Sequence, residues 1–216
     1  MEFTRKHTVA LLSVVYITVL YGAYNALMVF GPMQTDILPM RELYRNVFFH
    51  VPINATTYVS FTITLIFSLL YLKTKNLRYD NIAASSAKLG ILFCTFTLIT
   101  GVVWAKPAWG AYWNWDPRET TGLILWFIFA AYFALRSAIS DEEARARLSA
   151  VLGIFGSVGI PLTYFSTTLW FSLHPRLKDW SLAPEMRTVL MLMIFGTLAL
   201  YAYLLWIEVK IKEVGG

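Results

Sequence analysis

Six runs of about twenty apolar residues, separated by short polar connections, constrain this chain more than any other feature of its sequence. They fall at approximately Thr8 to Phe30, Pro52 to Leu72, Ile82 to Trp104, Pro117 to Leu135, Leu148 to Trp170 and Thr188 to Ile207. A bilayer core about 30 Å thick is crossed by a helix of roughly 20 such residues, and a helix satisfies its own backbone where no water is present. The expected fold is therefore all-α, an integral membrane bundle of six transmembrane helices. A content of 57% hydrophobic against 14% charged residues excludes an ordinary soluble domain of this size. The spans occupy most of the chain, so a single membrane domain over residues 1–216 is expected. The first run follows Arg5 and Lys6 as a signal peptide would, but it has the length of a full span and only a poor cleavage match at Ala23-Tyr-Asn-Ala26. It reads as a retained helix.

Lys and Arg set the expected orientation. With the N-terminus inside, the inner segments carry eleven of them and the outer segments seven, so both termini are expected in the cytoplasm. The net charge of +5 then reflects membrane orientation; the basic residues are scattered over many loops, and no nucleic-acid partner is expected. Cys94 is the single cysteine, which excludes a disulfide framework and a Cys-x-x-Cys-His haem attachment. No Ser or Cys stands in a recognisable nucleophile context, so hydrolysis is not expected.

Three outer loops each carry something chemically distinctive. The first ends in RELYRNVFFHVP, residues 41 to 52, where Leu43, Val47 and His50 fall at i, i+4 and i+7. A short amphipathic helix lying on the membrane would turn His50 toward the protein and put Arg41 and Arg45 on another face, with Pro52 in the first turn of the second span. The last outer loop begins LWFSLHPR, residues 169 to 176, and places His174 at the same boundary. Taken singly, each histidine reads as an interfacial hydrogen-bonding side chain or as a ligand. As a pair at matched depth they suit haem better than zinc, since a porphyrin iron takes two imidazoles on opposite faces and no carboxylate accompanies these two.

Between them lies WGAYWNWDPRET, residues 109 to 120, inside an outer tryptophan-rich loop at about 105–120. Trp109 and Trp113 share a face if this stretch is helical, and Trp113 and Trp115 share one if it is extended; either offers π surface to a planar apolar ligand. An interfacial aromatic belt accounts for Trp104, Trp170 and Trp206, but not for four of eight tryptophans falling between residues 104 and 115. Asp116, Pro117 and Glu119 form a helix-start signature that would fix the loop against whatever it binds. Arg41, Arg45, Arg118 and Arg176 suit either haem propionates or lipid headgroups.

WGAYWNWDPRET resembles the tryptophan-rich W-G-x-x-W-x-W-D signature of the haem-handling WWD-motif proteins of cytochrome c biogenesis. With six spans and histidines in FFHVP and SLHP, the chain is most similar to the cytochrome c maturation protein C (CcmC) family. The resemblance implies a multi-pass protein of the cytoplasmic (inner) membrane that binds haem b, iron protoporphyrin IX, at the periplasmic or extracytoplasmic face. His50 and His174 match the family's axial ligands, with Trp109, Trp113, Trp115, Asp116, Arg118, Arg41, Arg45 and Arg176 around the cofactor. It also implies partners: a membrane-anchored haem chaperone (CcmE-like) that receives the haem, a small membrane subunit (CcmD-like) and ABC transporter subunits (CcmA/CcmB-like). The role is transfer rather than catalysis. The ending WDPRET is closer to the related synthase subunit CcsA, so a CcsA-like role is the alternative. A b-type electron-transfer cytochrome would place its histidines inside helices, and a purely structural subunit would hold no haem.

Overall fold

In a computed structural model of the chain, residues 5–31, 40–175 and 182–215 are described, with backbone alone at 5–7, 40, 41 and 215. In order, the elements are α1 (Arg5–Tyr24), a π-helical turn (Asn25–Val29), α2 (Met40–Leu43), a 3-10 turn (Tyr44–Asn46) and α3 (Val47–Thr74). There follow α4 (Leu77–Trp109), α5 (Pro117–Ala138), α6 (Glu142–Ser157), α7 (Gly159–Leu169) and α8 (Pro184–Gly215), with no strand among the described residues. Six stretches are long and apolar enough to cross a membrane: Thr8–Val29, Tyr44–Thr74, Leu77–Trp109, Pro117–Ala138, Glu142–Leu169 and Pro184–Val214. They coincide with the six expected runs.

Two boundaries differ from expectation. Pro52 does not begin the second span; it lies inside α3, which follows α2 and the 3-10 turn without a break. The helix persists through the proline because Tyr44 and Phe48 are buried against Ala26, Val189, Leu190 and Met193, and this packing outweighs one lost hydrogen bond. The interfacial helix expected to carry His50 is thus the head of a span. Likewise α4 continues past Trp104 to Trp109, where Gly110, with φ of 86°, takes the left-handed conformation and ends it by bonding its N–H to the Lys106 carbonyl.

Helix packing follows the sequence's distribution of small and hydroxyl residues. α3 packs against α4, α6 and α8, while α1 packs chiefly on α8. Between α3 and α4, the Ser86 hydroxyl donates to the Ser60 carbonyl at 2.6 Å and meets the Tyr201 hydroxyl at 2.7 Å. Such short side chains let membrane helices approach closely where no hydrophobic drive exists between apolar surfaces. A Cβ at Gly90 would sit 2.5 Å from the Phe61 ring, which itself stacks on Phe129 with centroids 3.6 Å apart. At the end away from the tryptophans, Arg136 of α5 donates two hydrogen bonds, of 2.7 and 2.8 Å, to the buried Asp80 carboxylate of α4.

The fifth span is broken in the middle. At Val158 the backbone N–H turns back to the Phe155 carbonyl at 3.1 Å, and Pro161 withholds the N–H that the next turn would need. After this break α7 packs chiefly on α5, whereas α6 had packed on both α3 and α5. The divergence leaves space between α3 and α7.

Candidate functional site

That space is a cavity of about 410 Å³, within the range of roughly 300–1,000 Å³ typical of small-molecule sites. One wall is α3, from Asn46 through His50 and Asn54 to Tyr58, and the facing wall is α7, with Tyr164 and Phe165. Tyr58 lies twelve positions after Asn46, so the cavity reaches about 18 Å along the 3-10 turn and α3. Trp104, Arg118 and His174 complete the lining, and a narrower crevice continues from His50 and His174 toward Trp113 and Cys94. His50 and His174, far apart in sequence, therefore line one space.

The hydrogen bonds of the two rings define which nitrogen each offers. Thr100 of α4 sends its hydroxyl hydrogen to the Phe96 carbonyl at 2.8 Å. Its lone pairs then accept the Nδ1–H of His50 at 2.8 Å. Asn46, in the 3-10 turn one turn before His50, donates to the Thr100 carbonyl at 3.2 Å, so two side chains at the head of this span clip onto the same residue. The Nδ1 of His174 lies 3.0 Å from the Asp116 carboxylate, which can only accept, so Nδ1 carries the proton there too. In both rings Nε2 is the nitrogen left to face a ligand.

Asp116 holds far more than a helix start. Its carboxylate caps α5 through the Arg118 N–H at 2.9 Å, as expected, and also accepts from the Ser172 hydroxyl at 2.8 Å and the Leu173 N–H at 2.6 Å. Burial opposes its charge, but the hydrogen bonds from His174, Ser172, Leu173 and Arg118 outweigh burial and hold the carboxyl well below the usual carboxylate range. The coil carrying His174 is thus fastened to the head of α5 by one side chain. Glu119 was expected to serve the first turn; it reaches back into the loop instead, accepting the Asn114 N–H at 3.0 Å.

The tryptophans do not make one flat surface. Trp109, at the end of α4, meets Trp104 edge-on with centroids 4.8 Å apart and also lies edge-on to the His174 ring at 4.8 Å. Trp113 and Trp115 form a second perpendicular pair at 5.8 Å. Trp115 takes φ of 56°, an unusual left-handed conformation for a bulky residue, and is 73% exposed. Trp104, assigned above to an aromatic belt, instead lines the cavity. Its ring centroid lies 6.4 Å from that of His174.

Among the expected arginines, Arg118 lines the cavity and donates to the Tyr164 carbonyl at 3.4 Å, bridging α5 to α7. Arg45 does not line it; its guanidinium is engaged by Glu42 and by the Ala26 carbonyl. The side chain of Arg41 and the whole of Arg176 lie outside the described residues. Sequence reading missed Thr100, Asn54, Tyr58 and Ser172. Asn54 and Tyr58 follow His50 at i+4 and i+8 and could have been found from that spacing. Thr100 and Ser172 carry no local signal.

The sequence model of the family described as "CcmC: Heme exporter protein C" matches residues 1–214. "Heme exporter protein C" of Haemophilus influenzae is 38% identical over 131 residues, covering 58% of this chain and 53% of that protein. "Heme exporter protein C" of Escherichia coli (strain K12) is 33% identical over 168 residues, covering 74% and 66%. A "Putative cytochrome c biosynthesis ccmC-like mitochondrial protein" of Marchantia polymorpha is 36% identical over 133 residues, covering 62% and 56%. The chain thus spans between about half and two thirds of the length of these relatives.

Proposed function

This chain belongs to the heme exporter protein C (CcmC) family, and from that premise we propose that it binds haem between His50 and His174 and passes it on in cytochrome c biogenesis. The observation that carries the reading is the pair of imidazoles on one cavity, each with Nδ1–H tied and Nε2 free. Haem supplies an iron that accepts two such nitrogens, one on each face. The donor set and the cavity suit it: two imidazoles, walls largely apolar, and Arg118 as a partner for a propionate carboxylate. Trp104 and Trp109 pack beside the His174 ring.

The tryptophan end faces the periplasmic or extracytoplasmic side, as the distribution of Lys and Arg favours. The haem is type b, held without covalent attachment because the chain lacks a paired cysteine site, and the receiving protein is a membrane-anchored haem chaperone (CcmE-like). CcmD-like and CcmA/CcmB-like subunits complete the assembly, and the role is transfer without catalysis. The test is an absorption spectrum of the detergent-purified protein with added haem, alongside His50→Ala and His174→Ala. A Soret band that weakens or shifts in each variant supports the reading; a band indifferent to both removes it.

A further inference from the structure

The two histidines are anchored by unlike partners. His174 gives its Nδ1–H to an ionised carboxylate, at 3.0 Å, and that carboxylate is itself fixed by Ser172, Leu173 and Arg118. His50 gives its Nδ1–H to the neutral hydroxyl of Thr100, at 2.8 Å. A carboxylate on the far nitrogen draws the proton toward itself and makes the metal-facing nitrogen a stronger donor; a hydroxyl does so much less. Bonds to charged acceptors are also about twice as strong as neutral ones, so the His174 ring is held more firmly in one orientation. The backbones point the opposite way, since His50 sits in a helix and His174 in coil. Three groups of that coil, the Ser172 hydroxyl, the Leu173 N–H and the His174 ring, are nevertheless held by one carboxylate, which restrains it.

Resting on the haem-binding reading above, we propose that His174 is the retaining ligand and His50 the releasing one, and that Thr100 is the positioning residue that sets this inequality. Haem leaves toward a receiver by losing the His50 bond first, with His174 still attached. The asymmetry gives the transfer a direction: α3 lets go, and the coil beside the tryptophans keeps hold until the receiver has engaged.

Two measurements on the haem-loaded, detergent-solubilised full chain separate the ligands. Cyanide displacement of the first histidine, followed at the Soret band, reports the weaker bond; complete loss of haem to apomyoglobin reports the stronger. Thr100→Val removes the acceptor at nearly constant volume and is expected to speed cyanide displacement by about 10-fold. Thr100→Ser keeps the acceptor and should match the parent, and Thr100→Ala repeats the test should the valine variant fold poorly. Asp116→Asn should speed haem loss to apomyoglobin more than it speeds cyanide entry. An unchanged cyanide rate in both Thr100→Val and Thr100→Ala overturns the proposal, as does a larger effect on that rate from Asp116→Asn. A parent protein without a histidine-dependent Soret band overturns the haem reading itself, and this is visible before any Thr100 variant is measured.

Discussion

Among the described residues, each end of the helix bundle has one buried carboxylate with a close basic partner, and the two pairs do opposite things. Asp80 and Arg136 join α4 to α5, two long helices already in contact, through a bidentate pair whose side chains are 6% and 14% exposed. Each satisfies the other, and the guanidinium also rests over the Tyr132 ring at 5.7 Å. Asp116 joins the start of α5 to coil, and its partner His174 keeps one nitrogen unused. A buried carboxylate is therefore structural or functional according to what its partner has left over. Arg136 has nothing to offer a ligand; His174 has Nε2.

The widest separation between the two ends is expected from Arg136→Ala. It strands the buried Asp80 charge without its partner, and breaking such a pair costs about 3–5 kcal/mol. Thermal unfolding in detergent would show the loss, while the haem spectrum of the protein that remains folded keeps its parent form. A spectrum altered as much as by His174→Ala would erase the division between the ends. Asp116→Ala reverses the pattern: loss of the α5 cap costs about 1 kcal/mol, but the spectrum should resemble that of His174→Ala. A smaller contrast lies within the tryptophans. Trp104→Leu should shift the Soret band and weaken haem retention, because the ring lines the cavity. Trp115→Leu, on an exposed ring, should change stability by no more than about 0.5 kcal/mol and leave the spectrum alone. Equal responses from the two would mean that Trp115 turns inward when haem is present.

The six spans were legible because membrane helices announce themselves by length and hydropathy, with no tertiary information needed. The head of α5 was legible too, since Asp116 and Pro117 act over two or three residues. What escaped depended on distance in sequence or on side-chain direction. Asp116 looked like a cap because its second partner lies 58 positions on, and nothing in either segment names the other. Trp104, read as belt, lines the cavity, and Trp115 is exposed on a left-handed backbone; neither orientation is written in the local sequence. Pro52 read as a helix start, yet burial of Tyr44 and Phe48 carries the helix through it.

The break at Val158 has a mechanical consequence. Because α7 bears chiefly on α5, the cavity's outer wall is one helix thick and braced from a single side, the most compliant part of the enclosure. The paired surfaces of α3 and α4 are stiff by comparison and hold the template against which any guest is gauged. Outward flexing of α7 would widen the chamber while leaving the clip of Asn46 and His50 on Thr100 undisturbed.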